Sequence, residues 1–481
     1  MATRNHLQRG LRAACFAACW ILLASCGRLS SPPALPAATA SPPGANRTSG
    51  VPEDQRYTPS PEGNIFTAIP SEESGPIAVR ITLPVQRRYP EGAGVLVEVP
   101  PFFTPGEGYS RGLDVRSIGI LHVTFLWPGC ADPKLGHLSG GVRDYGGAGS
   151  IAALRDVIRF ASGDLADTNG RTIADIAGIP VMAGNVGLYA FSHPGLSAVS
   201  VMASYGDRLT ALRYFIGREN PTVDAISSME IGYFGGDGEP VINPEYRYPG
   251  SFHADDILLD YSSIRWDPEL PGCVQGAKGA PYFDGNGNGR RDPSEFALGT
   301  QCPTMFGKRV YSAVLTRALE TNRIFTSDSW PEDLAMPDEA EALWSIRESP
   351  GAYPALRERM PEVKVMLVFG VRDHVQVALD KPHVHQAWLG FSGAGLWVRL
   401  NPDSAYAACL GPDIGNWQDH PAGVEPEDWM EAYRWGHPNS PSAAEVFPLA
   451  AVAEMADRVY YENWAPDFDR VLGGACKPAN G

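Results

Sequence analysis

The sequence has little basic charge for its length and no long apolar run in its interior. Its 39 Lys and Arg residues stand against 55 Asp and Glu residues, a formal net charge of −16. Clustered basic residues are what bind a phosphate backbone, so this balance argues against a nucleic-acid partner. Because no internal stretch is apolar over the length of a membrane span, only the N-terminus raises a question of membrane attachment.

Cofactor signatures are also missing. The sequence contains neither a phosphate-binding loop of the Walker type nor a dinucleotide-binding glycine fingerprint. His383 and His385 alternate along one segment, but no Cys or carboxylate at metal spacing accompanies them, which argues against zinc. What remains is a chain of 481 residues, about the length of two domains. Its hydrophobic content of 44% is enough for a large core. We expect no organic cofactor.

The N-terminus has the features of an export signal. Arg4, Arg9 and Arg12 precede an apolar stretch at residues 13–24, as in secretory signals. The stretch ends in LASC, residues 23–26, which resembles a bacterial lipobox. This resemblance implies cleavage after residue 25 and acylation of Cys26. An ordinary signal peptide with an incidental Cys remains the alternative.

The stretch after the signal has the composition of a tether. Residues 26–76 are rich in Pro, Ser, Ala and Thr and show no sustained period, which is typical of an extended linker. The sequence therefore predicts an exported lipoprotein on the extracytoplasmic side, attached to the membrane through its lipid anchor only. An oxidising compartment permits disulfides. Cys273 and Cys302 are the nearest pair outside the signal and are predicted to form one; Cys130, Cys409 and Cys476 are left, an odd number.

Strands and helices alternate from residue 77 onward. Apolar runs predict strands at residues 77–83, 94–99, 118–127, 186–191, 226–233, 363–369 and 396–400. Helical spacing of apolar residues appears at 151–161, and 196–205 can form a second helix. This alternation predicts an α/β fold, a mainly parallel sheet with helices on both faces, built from residues 77–233 and 362–481. Residues 234–361 show no clear strand period and are interpreted as a lid-like insertion.

A nucleophile elbow is predicted at residues 186–195, VGLYAFSHPG. A buried strand runs into Ser192, and small and helix-starting residues follow. Here the chain resembles the α/β-hydrolase superfamily of serine hydrolases. The resemblance implies that Ser192 is the nucleophile, that Asp373 after a late strand is the acid, and that His420 after the last strand is the base. His437 is the second choice for the base.

The same resemblance assigns the oxyanion hole and the reaction. Backbone N–H groups of His193 and of Gly129 or Cys130 would bind the oxyanion, with residues 126–130 as the oxyanion loop. The substrate class implied is a carboxylic ester or a peptide. Ala190 and Pro194 stand where the Gly-x-Ser-x-Gly pattern has glycine, and Gly195 comes one place late. The alternative is therefore an inactive hydrolase-fold surface protein that binds or scaffolds, with Ser192 as a helix cap.

Residues 284–295 match the twelve-residue EF-hand calcium loop at most positions. Calcium prefers six to eight oxygen ligands, and side-chain or backbone oxygens are available in this loop. The predicted ligands are Asp284, Asn286, Asn288, the Arg290 carbonyl, Asp292 and Glu295, with Gly289 at the bend. Arg291 occupies a position that is usually apolar, and no helix is predicted before the loop. We therefore expect a single, weak and structural calcium site, with a Kd of about 0.1–1 mM.

Overall fold

The computed structural model describes residues 50–102, 108–110, 112–223, 229–235, 238–247, 259–272, 277–298, 302–370, 373, 376–378, 381–393, 395–411, 441–465 and 468. The strands are β1 (Asn64–Ile69), β2 (Ile77–Thr82), β3 (Ala93–Glu98), β4 (Leu121–Phe125), β5 (Ala131–Asp132), β6 (His137–Leu138), β7 (Val181–Phe191), β8 (Leu212–Arg218), β9 (Gly232–Phe234), β10 (Pro240–Ile242), β11 (Ile264–Pro271), β12 (Lys278–Phe283), β13 (Thr304–Met305), β14 (Lys308–Arg309), β15 (Lys364–Val368) and β16 (Val398–Leu400). The helices are α1 (Ala148–Ala161), α2 (Ile173–Ala177), α3 (Pro194–Tyr205), α4 (Ala313–Thr321), α5 (Pro337–Ser345), α6 (Tyr353–Arg359), α7 (Pro382–Ser392), α8 (Ser404–Leu410) and α9 (Pro441–Tyr460). In the described part of the chain, no helix is both long and apolar enough to cross a bilayer.

One eight-stranded sheet organises the fold. Its strand order is β1-β2-β4-β3-β7-β8-β15-β16. β2 is antiparallel to both of its neighbours, and all the pairs from β4 to β16 are parallel. Successive side chains of a strand point to opposite faces of the sheet, so a sheet covered on both sides needs two cores. On β7, Leu188 belongs to one hydrophobic cluster and Tyr189 to the other.

Helices cover both of these faces. The core that contains Leu188 also contains apolar residues of α1, α3, α6 and α7, whereas the core that contains Tyr189 is covered by α8 and α9. This layered arrangement with a mostly parallel sheet confirms the predicted fold class. The chain has an α/β-hydrolase-like fold.

Two predicted boundaries differ from the structure. β1 is the first strand of the main sheet, although the composition of residues 26–76 predicted a tether. The sheet also continues through β8, at residues 212–218, and not through the predicted strand 226–233. β8 has Arg at its second and last positions. Its apolar residues are therefore too few in a row for the sequence pattern to indicate a buried strand. Within 226–233, residues 229–231 are helical instead.

A buried ion pair joins helix α9 to the segment between β2 and β3. Asp457 on α9 accepts hydrogen bonds from Nε and Nη2 of Arg88, at 2.7 and 2.6 Å. The hydroxyls of Tyr89 and Tyr406 also donate to this carboxylate, each at 2.8 Å. All four side chains are buried, so the carboxylate depends on these donors in place of water. The pair therefore fixes the helix that covers one face of β7.

In its described residues, the segment between β8 and β15 forms short antiparallel strand pairs, the helices α4, α5 and α6, and a helical turn at residues 229–231. β9 pairs with β10, β11 with β12, and β13 with β14. Since it begins after residue 218, it starts earlier than the predicted insertion 234–361, whose lid function stays a prediction. Helix α6 within it packs against α3 and so belongs to the helical layer of the fold.

Glu230 joins three parts of this segment. Its fully buried carboxylate accepts hydrogen bonds from the Ser312 N–H at 3.2 Å, from the Ser312 hydroxyl at 3.0 Å and from the Tyr261 hydroxyl. Burial raises the pKa of Glu230 to about 7, although these donors favour the charged form. The folded state therefore holds the proton of Glu230 more tightly than the unfolded chain does.

This pKa gives the free energy of unfolding a defined pH dependence. The contribution of Glu230 is complete below about pH 4.5, its ordinary pKa, and is lost as the pH rises through about 7. Across this pH range, the free energy of unfolding measured with urea should fall by a few kcal/mol more in wild type than in Glu230→Gln. This size follows from the rise of the pKa, since a tenfold change in proton affinity corresponds to about 1.4 kcal/mol. Glu269→Gln, at an exposed position, should follow wild type. Parallel curves for wild type and Glu230→Gln would contradict this assignment.

Candidate active site

Ser192 occupies a sharp turn between the central strand β7 and helix α3. Its backbone has a φ of 63°, the left-handed region that residues other than glycine rarely adopt. The Ser192 N–H donates to the Arg218 carbonyl at the end of β8, at 2.9 Å. The turn therefore lies at the carboxyl ends of two adjacent parallel strands, where α/β folds place their sites. Its geometry is that of the predicted nucleophile elbow.

Pro194 is compatible with this turn because it is the first residue of α3. An N–H at this position has no partner within the helix, so proline loses nothing there. The Gly195 N–H donates to the Ser192 carbonyl at 3.0 Å, and the Leu196 N–H donates to the His193 carbonyl at 3.0 Å. The helix therefore begins directly after the elbow despite the departure from the Gly-x-Ser-x-Gly pattern.

The side chain of His193 is one neighbour of the serine hydroxyl. Ser192 Oγ lies 3.4 Å from His193 Nδ1, and Ser192 is half-buried. The His193 ring contacts the Phe102 ring edge-on, with a centroid distance of 6.3 Å. Phe102 follows β3, the strand that lies beside β7 in the sheet. These residues form one wall beside the elbow.

The predicted acid Asp373 is buried and contacts a histidine that is not among the predicted site residues. Asp373 is 3% exposed, and its Oδ1 accepts a hydrogen bond from the Gln376 N–H at 3.2 Å. Its Oδ2 lies 3.2 Å from Nε2 of His383, a 5% exposed residue near the start of α7. His383 precedes the last strand, β16, whereas both predicted bases follow it in the sequence. The structure thus adds His383 to the residues around the acid.

The loops that follow the last two strands are joined to each other. Asn401, directly after β16, has a φ of 60° and donates its N–H to the Leu367 carbonyl at 2.8 Å. Its Oδ1 accepts a hydrogen bond from the Phe369 N–H, at 3.0 Å, after β15. The chain that leads to the predicted base therefore starts beside the loop that holds the acid. His420 and His437 lie outside the described residues, so the choice of base stays a prediction.

The predicted oxyanion donors on residues 126–130 are engaged elsewhere. The Gly129 N–H donates to the Gly140 carbonyl and the Cys130 N–H to the Trp127 carbonyl, both at 2.9 Å. These residues follow β4, which is separated from β7 by β3. The segment after β3 runs beside the elbow strand, since the Val99 N–H donates to the Tyr189 carbonyl at 2.9 Å. The chain directly after β3 therefore lies nearer to the elbow strand than the predicted oxyanion loop does.

A buried contact between a carboxylate and an imidazole at the end of β3 was not predicted. Glu98 Oε2 lies 2.9 Å from His122 Nε2, and both side chains are buried. Burial alone would raise the pKa of Glu98, but hydrogen bonds from His122, the Leu113 N–H and Ser110 outweigh it and lower the pKa below its ordinary value. His122 is thus a core histidine with a carboxylate partner, and the ionised Glu98 fixes the course of the chain after β3.

The predicted calcium loop is a tight turn whose own residues hydrogen-bond to one another. The buried carboxylate of Asp284 accepts the Asn288 N–H at 3.1 Å and the Gly289 N–H at 2.9 Å. Gly289 has a φ of 74°, as the bend requires, and the Asp292 N–H donates to Glu295 at 2.8 Å. The Phe283 N–H donates to the Phe296 carbonyl at 2.9 Å, which closes the loop at its base.

The side chains of this loop are not arranged as a metal site in the structure. No group of three or more His, Cys, Asp or Glu side chains suited to a metal occurs in the described part of the chain. The amides of Asn286 and Asn288 donate to Asp292 Oδ2, at 2.6 and 3.1 Å, and Arg290 is exposed. Hard oxygen donors suit calcium, so the residue types of the loop fit the ion in their chemistry. Calcium binding stays a prediction.

Three of the cysteines lie in the described chain. Cys130 carries a free thiol, whose pKa is raised by burial, whereas Cys302 and Cys409 are each disulfide-bonded. Cys273 and Cys26 lie outside the described residues. The pairing of Cys273 with Cys302 and the acylation of Cys26 therefore stay predictions.

Comparison with known proteins gives similarity at the level of structure only. No protein-family model and no curated protein match the sequence. A fungal esterase structure from Rhizomucor miehei has 10% identity and a TM-score of 0.35, with 83% of this chain and 85% of that chain covered. A hyperthermophilic esterase from the archaeon Pyrobaculum calidifontis has 11% identity and a TM-score of 0.33, covering 85% and 86%. Dipeptidyl peptidase 4 of Porphyromonas gingivalis has 9% identity and a TM-score of 0.34, covering 70% of this chain and 31% of that chain.

These neighbours are esterases and a peptidase, and their similarity concerns the fold. With every TM-score below 0.5, the assignment of the fold rests on the strand order and on the turn at Ser192.

The positive φ of Ser192 predicts an unusual order of stability among variants. Ser192→Gly should have a higher free energy of unfolding than Ser192→Ala, by about 1–2 kcal/mol, because glycine adopts this conformation without a Cβ clash. At Ser204, an exposed residue of α3, the order should reverse, since glycine is the poorer helix former by roughly 1 kcal/mol. Urea unfolding of the four variants tests this. The same order at both positions would contradict a strained Ser192.

Proposed function

We propose that this protein is a serine hydrolase that cleaves a carboxylic ester or a peptide bond with Ser192 as its nucleophile. The observation that carries the proposal is the left-handed backbone of Ser192 at the carboxyl end of the central strand. Such a conformation costs about 1–3 kcal/mol at a residue other than glycine and is found mainly at functional sites. A serine that only capped the helix would have no need of it, since cap residues have ordinary extended backbones.

The proposed chemistry divides hydrolysis into two acyl-transfer steps. His420 removes the proton from Ser192 Oγ as the oxygen attacks the carbonyl carbon, and then gives this proton to the leaving group. The acyl-serine is hydrolysed by a water molecule that His420 deprotonates, and Ser192 regains its proton. The His193 N–H stabilises the negative oxygen in both steps. Donors of this kind are worth about 3–4 kcal/mol each in characterised enzymes.

Asp373 would orient the base and stabilise its positive charge. It is buried, so its carboxylate interacts strongly with a neighbouring imidazolium. The contact with His383 Nε2 and the hydrogen bond from the Gln376 N–H hold the carboxylate from two sides. Within the proposal, His383 therefore positions the acid, while the base comes from the chain after β16.

We further propose that the enzyme is an exported lipoprotein attached to the membrane through acylated Cys26. The lipobox-like LASC sequence supports this, and so does the scarcity of basic residues that could bind an anionic surface directly. Because β1 belongs to the sheet, the proposed tether comprises residues 26–49 only, and these are rich in Pro, Ser and Ala. The acidic domain would be held near the membrane without binding to it.

Calcium is proposed as a structural ion at residues 284–295. It would supply positive charge at the centre of the loop, which Asp284, Asp292 and Glu295 could neutralise. Arg265 Nε lies 3.7 Å from Asp284 Oδ2 and partly neutralises this carboxylate itself. Phe283 and Phe296 at the base of the loop contact Tyr261 and Tyr233, with centroid distances of 5.9 and 5.3 Å. The ion would therefore brace the aromatic packing of the insertion.

Labelling with a fluorophosphonate probe tests the nucleophile. The probe forms a covalent bond with an activated serine, so wild type should be labelled and Ser192→Ala should not. Ser204→Ala, an exposed serine of α3, should be labelled like wild type. Folded wild type without label would contradict the proposal and favour a hydrolase-fold protein that binds without catalysis.

The same assay distinguishes the two candidate bases. His420→Ala should lose nearly all labelling, by roughly the 10⁴-fold or more that loss of a catalytic base costs. His437→Ala should keep it. The reverse result would assign the base to His437 and contradict the role given to His420.

Calcium should raise the stability of wild type but not of a variant that lacks a ligand. With a Kd of about 0.1–1 mM, 10 mM calcium should add roughly 1–3 kcal/mol to the free energy of unfolding. Glu295→Gln removes a proposed ligand and should abolish this gain. Glu269→Gln makes the same change at an exposed residue of β11 and should retain it. An equal gain in both variants would show that the ion acts elsewhere.

A further inference from the structure

The side-chain amide of Asn220 lies at the centre of the hydrogen bonds around the elbow. Its Nδ2 donates to the carbonyl oxygens of Ser192 at 2.7 Å, Ala190 at 3.0 Å and Arg218 at 3.0 Å. All three partners are acceptors only, so the nitrogen of the amide must face them. Two hydrogens serve three oxygens, which means that one hydrogen is shared. One amide thereby ties the end of β7 to the end of β8.

Two glycines leave the space that this amide needs. A Cβ atom on Gly195 would lie 2.2 Å from Cγ of Asn220, and one on Gly217 would lie 2.5 Å from its Oδ1. Both distances are too short for any side chain without movement of the amide. Gly195 is the glycine that comes one place late in the elbow pattern. Its place is explained by the close approach of Asn220, which lies two residues after the neighbouring strand β8, and not by contact with the serine hydroxyl.

We propose that Asn220 is a positioning residue that orients the oxyanion donor through the peptide plane of the nucleophile. The peptide between Ser192 and His193 is planar and trans, so the Ser192 carbonyl and the His193 N–H point in opposite directions. Asn220 Nδ2 and the Gly195 N–H both donate to this carbonyl, at 2.7 and 3.0 Å. Fixing the oxygen in this way fixes the direction of the His193 N–H on the other side of the plane.

The same bonds also strengthen the donor. A carbonyl that accepts hydrogen bonds polarises its peptide group, which makes the attached N–H a better donor. Asn220 thus acts on the transition state, where the oxyanion forms, and not on initial binding of the substrate. This inference rests on the proposed function, because it assigns a role to the His193 N–H in that reaction.

The experiment measures fluorophosphonate labelling over a range of probe concentrations, so that the maximal rate constant kinact and the half-saturating concentration KI are separated. Asn220→Asp keeps the shape of the side chain but replaces the donor with oxygen, and Asn220→Ala removes the amide. In both, kinact should fall roughly 10- to 100-fold, the scale of a small misplacement of a reacting group, while KI stays unchanged. In Asn220→Ala, which adds no charge, the pH dependence of kinact should also stay unchanged, because the acid and the base are untouched.

Asn185→Ala is the matched control. Asn185 is a buried residue of β7 whose Nδ2 donates to the Ala456 carbonyl at 2.9 Å, far along the strand from the elbow. This variant should lose stability but keep the kinact of wild type. Thermal unfolding establishes that each variant is folded at the assay temperature, and Asn220→Asp carries the comparison alone if Asn220→Ala does not fold.

The possible results are distinct. Labelled wild type with unchanged kinact in the Asn220 variants contradicts this inference alone. A fall in kinact in Asn185→Ala as large as in the Asn220 variants also contradicts it, because the effect would then follow any lost buried amide. Wild type without labelling contradicts the proposed function and this inference with it.

Discussion

A serine with a φ of 63° between a buried strand and a helix has to be held in place, because the conformation is unfavourable by about 1–3 kcal/mol. At Ser192, hydrogen bonds to the end of the neighbouring strand β8 and to the residues just after it stabilise this conformation. The Arg218 carbonyl accepts the Ser192 N–H, and the Asn220 amide donates to the Ser192 carbonyl. The turn is therefore a property of two parallel strands together. The rest of the candidate site is arranged around the end of this strand pair.

The packing of the sheet makes that strand pair rigid. β7 and β8 lie in the middle of eight strands and are covered by a separate core on each face. The proposed acid Asp373 follows β15, the next strand on the same side, and Asn401 joins the loops after β15 and β16. Residues from four adjacent strand ends are thus brought together by register, although they are distant in the sequence. This is why a parallel sheet can assemble a triad from separate segments.

Much of this was predictable from local patterns, and the errors have a common cause. The alternation of apolar strands and amphipathic helices predicted the fold class, and the strand that ends at Ser192 predicted the elbow. The order of strands in the sheet is not visible in the sequence, so the predicted oxyanion donors lie after β4 although β3 lies beside β7. Contacts between distant segments were missed for the same reason, among them His383 with Asp373 and Asn220 with the elbow. The composition of residues 26–76 suggested a tether, but burial of β1 against β2 overrides that local preference.

A crystal structure of the protein after reaction with a phosphonate probe would test the central claim most directly. The account predicts phosphorus bound to Ser192 Oγ, a Ser192 φ near the present 63°, and a phosphonyl oxygen within hydrogen-bonding distance of the His193 N–H. An adduct on another residue would contradict the account. So would a Ser192 with an ordinary negative φ, or a phosphonyl oxygen that points away from His193.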